Sequence, residues 1–135
     1  MTYYVRYFAD GPVTIKALGA AIKALEPQYK IDGGDLMRGT DVLAEIGIDG
    51  AGSDLFNEEL GLRLGAVEQI GGQAAQWVSA RLRITQSVVA VRVDPAVQWE
   101  LLNPLWTSLS NLSTGLTHVE GQGFYDGGNL VLNVA

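Results

Sequence analysis

The chain has 135 residues, 47% hydrophobic and 18% charged, with a formal charge of −6 and no cysteine. That is one domain's worth of chain with enough apolar residues for a sizeable core, and it excludes a disordered polyelectrolyte. Disulfides, thiolate nucleophiles and thiolate metal sites are excluded with the cysteines, and nine basic residues spread singly along an acidic chain make nucleic acid a poor partner.

The N-terminus alternates aromatic residues where a secretion signal would carry a basic start and an apolar core. No apolar run approaches the ~20 residues that span a bilayer. The chain therefore reads as soluble and cytoplasmic, with no membrane partner. Thr2 to Phe8 is strand-like, rich in aromatic and β-branched residues. Asp10-Gly11-Pro12 breaks it, and Pro12 suits the first turn of a helix that runs to about Leu25. The spacing predicts Ile15, Leu18, Ile22 and Leu25 on its buried face. A strand near Tyr29 to Asp32 follows, then a hairpin whose arms are Leu36 to Arg38 and Val42 to Ile48.

The loop from Asp49 to Asp54 delivers a helix start, with Ser53 or Asp54 able to cap free backbone N–H groups. Phe56, Leu60, Leu64 and Val67 form its apolar stripe, and Gly71-Gly72 ends it. Gly61 and Gly65 inside this helix signal either a close neighbour or a locally weak helix. Gln73 to Thr85 matches both periodicities, but a strand there would need a tight hairpin through Thr85-Gln86-Ser87, which lacks turn residues; the segment is taken as a helix. Ser87 to Val93 is a strand, Asp94-Pro95 breaks it, and Pro104 forces a kink or restart in the helix beyond, with Asn103 as cap. Leu116 to Gln122 and Asn129 to Val134 are expected to pair about Asp126-Gly127-Gly128-Asn129, with Gly121 and Gly123 marking a bulge or a close backbone approach.

One pattern organises these elements. Leu102, Leu105, Leu109 and Leu112 repeat the apolar positions Ile15, Leu18, Ile22 and Leu25, each 87 residues later. The chain reads as a single α+β domain of two layers, built from tandem βαββ units at about 2–48 and 87–134, related by a pseudo-twofold. A helical insert at about 53–85 separates them, and helices pack on a mixed sheet.

Motifs for chemistry are sparse. His118 is the lone histidine, either a half-buried strand residue or a base oriented by Glu120 two positions along the same face. Asp32, Asp35 and Asp41 in one unit, with Glu120 and Asp126 in the other, would form a carboxylate pair or hard-cation site if the pseudo-twofold brought them together; Asp is also the ordinary residue of turns, and turn chemistry is the preferred reading. Asp49 to Asp54 lacks the third-position ligand and distal Glu of a calcium loop, and the Gly-Gly pairs do not lead into helix N-termini as phosphate loops do. No cofactor or metal is implied, and no catalytic residue is assigned. Trp99 lies off the predicted leucine face, and Phe124-Tyr125-Asp126 is placed at a hairpin tip. These residues, with His118 and Glu120, are the candidate binding set. They point first to a non-catalytic protein-binding, regulatory or immunity-type module whose acidic surface steers toward a partner. Self-association through open sheet edges, and a small-molecule enzyme or binding domain with a cleft between the units, are the alternatives.

Overall fold

The computed structural model describes Thr2 to Val134. Eight strands form one sheet: β1 (Tyr3–Ala9), β2 (Tyr29–Asp32), β3 (Asp35–Arg38), β4 (Asp41–Gly50), β5 (Ser87–Val93), β6 (Gly115–Val119), β7 (Gly123–Asp126) and β8 (Asn129–Asn133). Their spatial order is β2-β3-β4-β5-β1-β6-β7-β8. Every neighbouring pair is antiparallel, so the expected mixed sheet is not formed. The helices are α1 (Ile15–Leu25), α2 (Asp54–Ile70), α3 (Gln73–Arg83) and α4 (Asn103–Leu112), the last preceded by a 3₁₀ turn at Trp99–Leu102.

Two cores lie on opposite faces of this sheet. Odd-numbered β1 residues Val5, Tyr7 and Ala9 join Val89, Val91 and Val93 of β5 beneath Leu18 and Ile22 of α1 and Leu105 and Leu109 of α4. Phe8 and Val88 point the other way, to Phe56 and Val67 of α2 and Val78 and Leu82 of α3. The molecule thus has three layers rather than the two expected. The physical reason is visible in β5, whose Val88-Val89-Ala90-Val91 run lacks polar alternation, as suits a strand covered on both faces.

Helix starts follow from local chemistry. Thr14 caps α1 by accepting from the Ala17 N–H at 3.1 Å, and Ser53 caps α2 by accepting from Phe56 at 3.1 Å. Pro104 falls in the first turn of α4, where its missing N–H is harmless. The cap position there is Leu102 and no side chain caps it, so Asn103 does not play the expected part. Gly61 and Gly65 meet no close neighbour: a β-carbon added at either has nothing within 4 Å. Gly61→Ala and Gly65→Ala should each raise the unfolding free energy by about 0.5–1 kcal/mol, measurable by urea unfolding, because only helix propensity and chain entropy change.

The repeat expected between residues 2–48 and 87–134 is not established by the fold: the two segments share features at the centre of the sheet and differ outside it. β1 and β5 are adjacent, and the helix after each lies on the same face, with Ile22 and Leu109 both fully buried in one core. Toward the helix ends the shared pattern fades: Leu102 is buried, whereas Ile15, Leu25 and Leu112 are exposed. Three strands follow each helix, one more than expected in the second unit and than a βαββ unit holds, and the two three-stranded meanders are laid out in opposite order. In the first, the last strand β4 abuts the central pair; in the second, the first strand β6 does. The pairing expected between Leu116–Gln122 and Asn129–Val134 is also replaced, because β7 lies between β6 and β8. The Gly127-Gly128 turn is where it was expected, but its first arm is β7.

Candidate ligand-binding site

Between α4 and the β6–β7 part of the sheet lies a hollow of about 660 Å³. Strand register builds its floor: Tyr7 of β1 pairs with Thr117 of β6, which pairs with Tyr125 of β7, so the three side chains form one row on the same face. The Tyr7 hydroxyl donates to the Ser113 carbonyl at 2.6 Å, and the Tyr125 hydroxyl to Gln122 Oε1 at 2.7 Å, which holds both rings in place. Gly115 makes room beside Tyr7. A β-carbon there would stand 2.9 Å from the Tyr7 ring and 2.5 Å from the Phe8 carbonyl oxygen.

The helical wall comes from Asn103, Trp106 and Ser110, which share one face of α4 at helical spacing. Trp99, on the 3₁₀ turn, stacks on Trp106 with ring centroids 5.4 Å apart and planes at 26°. Tyr3 completes a set of five aromatic rings. Among the described residues, no Asp, Glu, Lys, Arg or His lines the hollow. Burial pushes the Tyr3 and Tyr7 phenols above their usual range, so they also stay uncharged. Trp106 Nε1 is buried and lacks an acceptor.

Of the residues singled out in the sequence, Trp99 and Tyr125 line this hollow, and the other four do not. Phe124 is fully buried in the second core rather than displayed at a hairpin tip, since β7 alternates and places it opposite Tyr125. Asp126 is exposed at the end of β7, and Glu120 is exposed beyond the end of β6. His118 faces away from the hollow and packs on Phe124 at 4.8 Å between ring centroids. No hydrogen bond or ion pair joins it to Glu120 among the described residues, because the strand ends before Glu120 can share its face. The base-and-carboxylate arrangement is therefore not formed.

His118 belongs instead to a buried polar cluster under α2. Arg6, its partner across β1 and β6, forms an ion pair with Glu59, which Arg63 also approaches at 3.5 Å. The Arg6 guanidinium also lies 4.9 Å from the centre of the Tyr4 ring. Burial, then the charges of Arg63 and Arg6, lower the His118 pKa to about 4 from the ordinary 6.5. The folded state thus binds less proton than the unfolded chain between these values. Stability from this group is fully present above about pH 6.5 and lost as pH falls toward 4. Urea unfolding should show about 2 kcal/mol lost on this account by about pH 5, and His118→Phe should remove that part of the pH dependence.

The acidic turns do not meet. Asp32, Asp35 and Asp41 belong to the β2–β4 end of the sheet and Glu120 and Asp126 to the β6–β8 end. Among the described residues, no group of three or more His, Asp or Glu is placed to hold a metal ion. No helix among those residues is long and apolar enough to cross a membrane. Trp106, Tyr3, Tyr7 and Thr117 escaped the sequence reading. The signal for Trp106 was its place on the Asn103–Ser110 stripe beside the leucine face; Tyr7 and Thr117 become neighbours only through long-range register. Comparison of the chain with protein-family models, with curated proteins and with solved structures gives no significant match.

Proposed function

We propose that the chain is a binding domain for an uncharged, flat small molecule carrying apolar rings and a hydrogen-bond acceptor, seated between α4 and the β6–β7 floor. The observation that carries this reading is a hollow of about 660 Å³ with five aromatic side chains and, among the described residues, no ionisable side chain other than tyrosine, in a chain of net charge −6. Its volume falls in the range of small-molecule sites, and aromatic walls with a few fixed polar groups are their usual lining. Stacking and apolar burial supply the affinity, while the Asn103 and Gln122 side-chain amides orient the ligand. Ser110 and Thr107 offer hydroxyls, but no base stands beside them in the lining, which supports binding rather than turnover. Protein recognition through an aromatic and acidic tip loses support, since Phe124 is an interior residue.

A matched pair of fluorescent probes tests this reading. Phenylnaphthylamine is flat and neutral, and anilinonaphthalenesulfonate adds a sulfonate to the same framework. The neutral probe should brighten on binding with a Kd of about 1–100 μM, and the sulfonated one should bind at least about tenfold more weakly. Ser110→Trp, which fills the hollow from the exposed side of α4, should abolish the signal. Equal affinity for both probes, or binding that survives Ser110→Trp, overturns the proposal.

A further inference from the structure

The far edge of the sheet carries a second surface of different chemistry. β2 pairs only with β3, so one side of its backbone has no partner strand. A groove of about 720 Å³ runs between this edge and α1. The helix sits close to the strand there: a β-carbon added at Gly19 would lie 3.8 Å from Ile31 Cβ. The chain has three lysines, and all of them line this groove, Lys16 and Lys23 from α1 and Lys30 from β2. Among the described residues every side-chain ion pair uses an arginine, and none uses a lysine. Asp32 is the one acidic residue of the lining.

A lysine on an edge strand is a common device against unwanted strand pairing, which accounts for Lys30 alone. It does not account for Lys16 and Lys23, two turns apart on the helix and facing the same groove. The other edge, β8, has neither: its residues Asn129 to Asn133 carry no charge, and a bulge disturbs its pairing with β7. From these observations we infer that β2 and α1 together take up an acidic peptide in extended form, added to the sheet as a ninth strand. The peptide's backbone bonds to the free side of β2, and its alternate, acidic side chains meet Lys16 and Lys23 on the α1 side of the sheet. These two lysines then gain the carboxylates they lack in the isolated chain. The inference stands apart from the neutral hollow at the opposite end of the sheet and does not depend on it.

The test uses fluorescein-labelled Glu-Val-Glu-Val-Glu-Val, the same peptide with proline in place of each valine, and the Lys-Val counterpart. The first should bind with a salt-sensitive affinity, and the β2 amides should become protected from hydrogen exchange. The proline peptide keeps the charge but loses backbone N–H donors, and its affinity should fall at least about tenfold; the lysine peptide should not bind. In the double variant Lys16→Glu, Lys23→Glu, binding should fall at least about tenfold while phenylnaphthylamine affinity stays unchanged, which separates this surface from the hollow. Equal binding of the valine and proline peptides, displacement by millimolar inorganic phosphate or by an oligonucleotide, or no binding of the acidic peptide at all would each overturn the inference.

Discussion

Phe124→Ala should lower the unfolding free energy by about 3–5 kcal/mol, the range for truncating a fully buried phenylalanine. The ring has no exposed surface, packs 6.2 Å from Phe8 between centroids and lies against His118. Removing it leaves a cavity between the sheet and α3, in the core that Leu82, Leu116 and Leu132 also line. The same change lets water approach His118, whose pKa should rise from about 4 toward 6.5. Urea unfolding measures the first effect, and proton NMR titration of the single histidine measures the second. A loss below about 1 kcal/mol would return Phe124 to the surface position that its sequence context suggested.

Glu59→Leu comes next in size, at about 2–4 kcal/mol. Glu59 is the carboxylate that pairs with Arg6, and it is also the one nearest Arg63. Without it, the Arg6 and Arg63 guanidinium groups face each other and His118 in a poorly hydrated space, with only the more exposed Glu120 acting on Arg63 from outside. Breaking a buried pair from one side usually costs about 3–5 kcal/mol; the lower figure here reflects that about a quarter of the Glu59 side chain reaches solvent. Adding Arg6→Met to Glu59→Leu should recover part of the loss, because an apolar pair leaves no stranded charge on that side. Urea unfolding of the two single variants and the double variant gives the coupling energy directly, and a purely additive result would mean that Arg6 and Glu59 do not interact.

Much of the helical framework was legible in the sequence because its signals are local. Ser53 marks a helix start, Gly71-Gly72 marks a stop, and the missing turn residues at Thr85-Gln86-Ser87 decide for a helix at Gln73–Arg83, whereas α1 starts after the Thr14 cap and leaves Pro12 outside its expected first turn. The third layer is written in Val88-Val89-Ala90-Val91, a run without polar alternation, whereas nothing local in the helical insert says which face of the sheet it covers. β7 was lost for a different reason. It has four residues, begins at a glycine and sets Phe124 beside Tyr125, so its residue types show no polar alternation although its side chains alternate in space, and the strong turn signal that follows it matches a direct hairpin between its two neighbours equally well. The hollow was the least legible part. Trp99 and Tyr125 stand out as large side chains, whereas its floor exists only because β6 pairs with β1, more than a hundred residues away along the chain.

The three tryptophans provide the most direct measurement of the central claim, that an uncharged flat ligand occupies the α4–β6–β7 hollow. Trp99 and Trp106 line it, whereas Trp77 lies on α3, which packs against the opposite face of the sheet. In proton–nitrogen correlation spectra recorded during a phenylnaphthylamine titration, the indole N–H resonances of Trp99 and Trp106 should move together along one saturating curve while that of Trp77 stays in place. A shift confined to Trp77, or saturable binding with none of the three indoles moving, would contradict it.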